Sequence, residues 1–466
     1  MKNTYFDLIK KSFDFPQEGF SLDGGNLSFY GVAIKPLIEK YGTPFKLVYL
    51  PRIGQQIEKA RNLFQNTMVK HGYRGDYHYC YCTKCNHYSH VIDTALKHKV
   101  HLETSSAFDI DIIKNLYKKG KIDNRRFIIH NGFKTDDYLL KIIELRKLGF
   151  ENSIVVLDSV NELKRIEKIS GGMKIKIGLR MAIDEQAQSA YHTSRLGIRP
   201  AKMLSFFDEN IRGNENFELV MFHFFVDSGI KDTLYYRGEF TKALNLYIEL
   251  KRRCNTLNSF NIGGGFPIKN HLGFSYDFEG IIDDIVSTIK ESCDREKVME
   301  PDIFTEFGKY TVGESSAIIF QVLETKKQND SEIWYIIDNS LLNTIPDAWS
   351  LHERFILLPV NKWDAGYQRV NIGGISCDSS DYYNSEDLNQ EVKLPKIDEG
   401  DNEPLYLGFF HTGAYQDSVS GYGGVKHCLI PMPLQIIIDK DAQGKFTEYV
   451  YGQKQSAEEI FKVLGY

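Results

Sequence analysis

Tyr77-His78-Tyr79-Cys80-Tyr81-Cys82-Thr83-Lys84-Cys85-Asn86-His87 sets one lysine at the end of a short run of aromatic and small apolar residues. The run has the composition of a buried strand, and Ser89 to Lys97 reads as the helix behind it. A cation in that place is either a solvated strand terminus or a desolvated amine. Desolvation lowers a lysine pKa and gives a nucleophile suited to Schiff-base chemistry. Taken alone, the solvated terminus is the simpler reading. Cys80, Cys82 and Cys85 with His78 and His87 also offer metal-ligand atoms. No second Cys-x-x-Cys follows, so packed strand cysteines are simpler than zinc, and no metal site is expected.

The elements that would position this lysine recur in a rhythm. Strand-like runs at Tyr77–Lys84, Val100–Thr104, Arg126–Gly132, Ser153–Asp158, Lys174–Met181, Phe217–Phe225, Phe260–Gly265 and Asp302–Gly308 are separated by amphipathic stretches. Asp109–Lys119, Asp136–Leu148, Asn161–Ser170 and Phe278–Cys293 are examples. Eight strands alternating with helices predict an α/β fold, a closed parallel (β/α)8 barrel. The G-x-G-x-x-G turn of an open dinucleotide-binding sheet is absent.

Beyond about Tyr310 the rhythm stops. Ile333–Ile337, Phe355–Val360, Arg369–Ile375, Leu405–Phe410, Leu434–Ile438 and Phe446–Tyr451 are strand-like with no helices expected between them. The chain therefore reads as residues 1–45 joining a β domain, a barrel over 46–310, and a C-terminal, mainly antiparallel β domain over 311–466. Glu386–Asn402 is polar and acidic, as in an exposed loop, and Ser456–Leu464 reads as a short closing helix.

In barrels, chemistry gathers at the C-terminal strand ends. Those ends carry Lys84, Glu103, Asn131, Asp158, Arg180, His223, Gly263-Gly264-Gly265 and Glu306 with Lys309. Solvated strand ends do not need so many ionisable groups. Glycines after the seventh strand let backbone N–H groups approach an anion, and the loops after strands seven and eight are where barrels commonly hold phosphate. A lysine, a phosphate cup and a carboxylate in one mouth suggest pyridoxal phosphate. Singly, His223 is as well explained as a buried histidine, and Glu103 and Asp109 as helix-start acids.

The chain resembles the fold type III, alanine-racemase-like pyridoxal phosphate decarboxylases, and among them the biosynthetic arginine decarboxylases. Thr83-Lys84-Cys85-Asn86, Leu102-Glu103-Thr104-Ser105-Ser106, Asn131-Gly132, Arg180, Ser194-Arg195-Leu196-Gly197 and the glycine triplet carry the resemblance. So do Glu306-Phe307-Gly308-Lys309, Cys377-Asp378-Ser379 with Asp381, and Gly413-Ala414-Tyr415-Gln416; Pro346-Asp347-Ala348-Trp349 resembles an arginine decarboxylase segment. The resemblance implies that Lys84 holds the cofactor, Glu306 pairs with its ring nitrogen, and Gly264, Gly265, Lys309 and Tyr415 take its phosphate. It implies that His223 stacks on the ring, and that Glu103 and Arg180 also belong to the cofactor site. Cys377 and Asp378 would reach the site from the second subunit of a head-to-tail homodimer, Cys377 as the proton donor to Cα and Asp378, with Asp347 and Asp381, toward the substrate. Two departures stand out. Lys309 occupies a position where the family has arginine, and His223-Phe224-Phe225-Val226-Asp227-Ser228-Gly229 carries two extra residues, with Ser228 able to replace a serine contact to phosphate.

The expected activity is decarboxylation of L-arginine to agmatine, with pyridoxal phosphate as cofactor and a magnesium requirement left open. Ornithine, lysine, diaminopimelate or carboxynorspermidine are the alternative substrates; a distal carboxylate would want a basic residue near Asp378, and the sequence identifies none. An amino-acid racemase, or a non-catalytic regulator that kept the fold, are the alternative classes. A formal net charge of −5 with 26% charged residues gives no argument for nucleic acid or acidic membranes. Seven cysteines without framework spacing, and no secretory pattern at Met1, fit a cytoplasmic protein.

Overall fold

The computed structural model describes residues 3–184, 193–226, 229–230, 233–329, 331–383, 392–398 and 400–466. Two compact units share the chain: one holds Gly54–Pro267 and Tyr276–Thr311, the other Met1–Ile53, Ile268–Ser275 and Val312–Tyr466.

In the first unit, eight parallel strands close into a barrel in chain order: Tyr77–Cys82, His101–Thr104, Ile128–His130, Ser153–Leu157, Ile175–Arg180, Phe217–His223, Ser259–Asn261 and Asp302–Phe307. The last pairs with the first, Glu306 opposite Cys80. The opening stretch shows why it folds this way. Successive strand side chains alternate faces, so Tyr-His-Tyr-Cys-Tyr-Cys places His78, Cys80 and Cys82 on one face and the three tyrosines on the other. Cys80 joins Ile129, Ile154, Val156, Met221 and Phe304 in one apolar cluster drawn from five other strand positions. The tyrosines find separate partners: Tyr77 stacks on Phe64 with centroids 4.3 Å apart, and Tyr79 Oη meets Thr311 Oγ1 at 2.7 Å. Tyr81 Oη donates to the Asn86 carbonyl at 2.7 Å, fixing the turn that carries Lys84. The cysteines are therefore packing residues here: Cys80, Cys82 and Cys85 are all buried.

The second unit centres on a long strand, Ser316–Lys327, paired with Phe45–Tyr49, Tyr406–Phe410 and Ile333–Ile337. The sequence reading missed it, because residues 316–320 are buried on both faces and 323–327 are exposed on both. Neither half alternates. The sheet is mainly antiparallel, as expected, with two parallel pairings: Leu434–Lys440 beside Phe45–Tyr49, and Ile333–Ile337 beside Tyr367–Gly373. Short helices, Leu341–Thr344, Pro346–Ser350 and Gln416–Ser420, interrupt what was expected to be helix-free. Within the expected acidic loop, Val392–Pro395 is a strand paired with Tyr367–Gly373. A separate aromatic core stacks Phe15 on Trp363 at 5.0 Å.

All three tryptophans, Trp334, Trp349 and Trp363, belong to this second unit. Tryptophan fluorescence therefore reports on it selectively. Ile319→Ala removes a fully buried side chain from the central strand and should cost about 2–5 kcal/mol. The urea midpoint followed by fluorescence should fall accordingly, and an unchanged midpoint would contradict the central position of this strand.

Candidate active site

Strand alternation lifts a polar layer above the apolar one. Glu306 lies two residues beyond Phe304, His223 two beyond Met221, and Asn131 two beyond Ile129, so each continues the inward face. Together with Asn261 they converge. The Glu306 carboxylate accepts from Asn131 Nδ2 at 2.9 Å and from Asn261 Nδ2 at 2.7 Å, with His223 Nε2 at 3.3 Å. All four residues are buried. Burial by itself would raise the carboxyl's pKa, but His223, Lys84 and the Asn131 amide outweigh it and hold Glu306 at about 2. Asn261 escaped the sequence reading. Its only signal was its place at a strand end, two residues before the glycines.

Lys84 sits in a single 3-10 turn, Thr83–Cys85, directly after the first strand. Asp109 fixes that turn: its carboxylate takes the Thr83 hydroxyl at 2.9 Å, His87 Nε2 at 3.0 Å and the Ser105 amide at 2.9 Å. Asp109, in the first turn of a helix capped by Ser106, thus ties that helix start to the lysine turn. Lys84 Nζ reaches Glu103 Oε2 at 2.8 Å, while Glu103 Oε1 is buried with no hydrogen-bond partner. The expectation of a lowered lysine pKa is corrected here. Burial pulls it down, but the charges of Glu103 and Glu306 prevail and raise it well above the ordinary range.

The glycine triplet is bound into the same assembly. Asn261 Oδ1 accepts from the Gly263 amide at 2.9 Å, and the Glu306 amide donates to the Gly263 carbonyl at 2.7 Å. Gly263 and Gly265 have φ of +68° and +101°, and a Cβ on Gly264 would lie 2.4 Å from the Glu306 carbonyl oxygen. Gly265 in turn approaches Gly229 so closely that its Cβ would stand 2.7 Å from the Gly229 Cα. No side chain fits at these positions, which leaves a backbone cradle. Lys309 opens the short helix Lys309–Val312, and the glycine before it is forced: a Cβ on Gly308 would meet Cys85 Sγ at 2.1 Å. Arg180 lies over the Phe225 ring, 5.6 Å from its centroid. Asp227 and Ser228 lie outside the described residues.

Lys134, another residue the sequence reading passed over, is fully buried beside this layer. It pairs with Glu162 at 2.9 Å and donates to the carbonyls of Gly132 and Val156, tying two strand ends together. Asp158, whose amide donates to Glu162 Oε2 at 3.0 Å, joins that support.

The remaining predicted residues lie in the second unit. Tyr415 has φ +68° at the start of Gln416–Ser420. Gln416 binds Asp347 through side chain and backbone, Nε2 to Oδ2 at 2.8 Å and Oε1 from the Asp347 amide at 3.3 Å. Asp381 is buried, and its carboxylate accepts the amides of Leu341, Leu342 and Ser376 at 2.8, 3.3 and 3.1 Å. Cys377 is exposed, Asp378 partly so, and Trp349 is half exposed. One basic residue the sequence did not place at Asp378 is there: His427 Nε2 lies 3.8 Å from Asp378 Oδ2.

A family model described as pyridoxal-dependent decarboxylase, pyridoxal binding domain, matches residues 54–313, more than half of the chain. The chain belongs to the pyridoxal-dependent decarboxylases. It is 28% identical over 301 residues to the biosynthetic arginine decarboxylase of Prochlorococcus marinus, an alignment covering 61% of this chain and 46% of that relative. The chain thus spans under half the length of that curated protein. Its fold matches the biosynthetic arginine decarboxylase of Campylobacter jejuni with a TM-score of 0.78 at 21% identity, over 99% of this chain and 90% of that one. The diaminopimelate decarboxylase of M. jannaschii in complex with L-lysine matches with a TM-score of 0.78 at 16% identity, over 95% and 97%. At those identities the structures speak for the fold alone.

Pyridoxal phosphate, the family's cofactor, supplies an electron sink when bound. The residues present fit it: a lysine at a strand end, a carboxylate held ionised by two asparagine amides and a histidine, and a backbone cradle that side chains would fill. His223 Nδ1 is buried without a hydrogen-bond partner in the same layer.

Because Glu103 keeps Lys84 protonated, capture of the cofactor aldehyde should accelerate as pH rises. Glu103→Gln removes the charge that raises the lysine pKa, so the pH profile for formation of a borohydride-reducible adduct should move to lower pH. A profile that stays in place would exclude Glu103 as the controlling charge. Lys84→Ala should yield no pyridoxyl-labelled peptide at that position.

Proposed function

We propose that this protein decarboxylates L-arginine to agmatine and CO2, as a homodimer whose sites are shared between subunits. The reading rests on family membership, on curated relatives named arginine decarboxylase, and on one observation: a thiol and a carboxylate, Cys377 and Asp378, at adjacent positions of a loop fixed by Asp381. In this reading Lys84 holds the cofactor and Glu306 faces its ring nitrogen. Gly264, Gly265, Lys309 and Tyr415 receive the phosphate, His223 lies against the ring, and Glu103 and Arg180 border it.

After CO2 leaves, Cα needs a proton from a positioned acid. Cys377 suits that task. Its contact with Cys428 raises its pKa and so keeps the proton on sulfur until it is needed. Asp378 Oδ1 is held by the Ser380 amide at 2.7 Å, which orients the carboxylate for a guanidinium fork. The hydrogen bonds of Asp381 and Asp347 give both a positioning role rather than a direct contact with substrate, because their oxygens already serve backbone amides and Gln416. A second reading, a diaminopimelate-type substrate, draws on His427, which could meet a distal carboxylate beside Asp378.

Purified protein with pyridoxal phosphate should release CO2 from arginine in preference to ornithine, lysine and diaminopimelate. Preference for diaminopimelate would favour the second reading. Asp378→Asn removes a charge-assisted contact of about 1.5–3 kcal/mol, so KM for arginine should rise about 10- to 150-fold. Cys377→Ala should lower kcat instead. Mixing Lys84→Ala and Cys377→Ala proteins should give more activity than the two show separately, and no gain would exclude shared sites.

A further inference from the structure

Five of the seven cysteines are buried or half-buried, and two are exposed: Cys377 and Cys428. Those two, 51 residues apart in the chain, lie with sulfurs 3.3 Å apart, and the Cys377 amide points at the Cys428 sulfur at 3.5 Å. A disulfide bond is about 2.05 Å long, so modest side-chain rotation closes the gap. We propose that Cys377 and Cys428 form a peroxide-responsive modification site, in which oxidation joins them in a disulfide and removes the Cys377 thiol from the reaction.

Three features support a built pair. The first is chemical. His427 Nδ1 lies 3.2 Å from Cys428 Sγ, and its Nε2 lies 3.8 Å from the Asp378 carboxylate. An imidazole oriented by an acid can take the thiol proton and leave the more reactive thiolate. The second is mechanical. The segment around Leu341–Thr344 grips both loops. Its first amides bind the Asp381 carboxylate on the Cys377 side. Asn343 exchanges two hydrogen bonds with the His427 backbone, Nδ2 to the carbonyl at 3.0 Å and Oδ1 from the amide at 3.2 Å. The Asn339 carbonyl also accepts the Ile375 amide at 3.2 Å. The ordering needed to bring the sulfurs together is already present in the fold. The third is selectivity: burial pushes the thiols of Cys80 and Cys82 well up, so they make poor nucleophiles.

The chemistry balances with a hydroperoxide as oxidant. The Cys428 thiolate attacks one peroxide oxygen, the O–O bond breaks, and with one proton taken up the products are a sulfenic acid and water. The Cys377 sulfur then attacks the Cys428 sulfur, the S–O bond breaks, and the hydroxide leaves as water with the Cys377 proton. Two thiols and one hydrogen peroxide give one disulfide and two waters. A reducing thiol reverses it.

The effect on activity rests on the proposed role of Cys377, whereas the cross-link does not. Holoenzyme treated with hydrogen peroxide, blocked at free thiols and digested should yield a peptide joining Cys377 to Cys428, lighter by two hydrogens. Decarboxylation should fall in step and return with dithiothreitol. Cys428→Ser lacks the attacking thiolate, so no joined peptide should form and peroxide should inactivate it several-fold more slowly, relative to its own untreated activity, than the unaltered protein. His427→Asn should slow cross-linking several-fold. Inactivated protein without the joined peptide, or Cys428→Ser inactivated as fast as the unaltered protein, would overturn the proposal. The peptide map needs no substrate, so it decides the point even if arginine proves to be the wrong amino acid.

Discussion

A buried carboxylate kept ionised is the constraint around which the barrel mouth is built. Moving such a charge out of water costs several kcal/mol even after relaxation. Hydrogen bonds to a charged group return about 1.5–3 kcal/mol each, so the two asparagine amides and the histidine on Glu306 are of the right size to offset the burial. The choice of donors matters as much as their number. Arginine would stabilise the carboxylate and also cancel its charge. Amides stabilise it and leave the charge in place, free to meet a cationic ring nitrogen. Each donor comes from a different strand end, so the barrel must close in register before any of them can act.

The same register explains the glycines. Gly263 is bound through Asn261 and through the Glu306 backbone, and Gly264 has no room for a Cβ beside the Glu306 carbonyl. The residue that would face the cofactor ring and the turn that would take its phosphate are thus one hydrogen-bonded piece. A change of position in one moves the other, which makes the spacing between the triplet and Glu306 a structural requirement.

The barrel was legible because its signal is local and periodic: each strand alternates or runs apolar for a few residues and ends on a polar group. Lys84, Glu103, His223 and Glu306 could be nominated from that pattern alone. What the pattern hid follows from its nature. Ser316–Lys327 changes from buried to exposed halfway, so no period marks it. The raised pKa of Lys84 depends on Glu103, 19 residues away in the chain and brought to 2.8 Å only by strand pairing. Asn261 looks like an ordinary strand residue until its neighbours are known. His427 and Cys428 carry no motif, and their meaning lies in loops that converge from distant parts of the chain.

The distribution of reactive groups follows the distribution of rigidity. In the barrel strands, Cys80 and Cys82 are packed, desolvated and poor nucleophiles, and the Glu306 carboxylate is held by fixed donors. Cys377, Asp378, His427 and Cys428 lie instead on two loops of the other unit, exposed or partly so. Such loops would ordinarily be free to wander, yet Asp381 and Asn343 anchor both to the segment around Leu341–Thr344. Anchoring at the base leaves only the side chains to move. A thiol held that way is near enough to its neighbours for proton transfer or disulfide exchange, and mobile enough at χ1 to switch between them, which neither a packed strand cysteine nor a cysteine on an untethered loop could do.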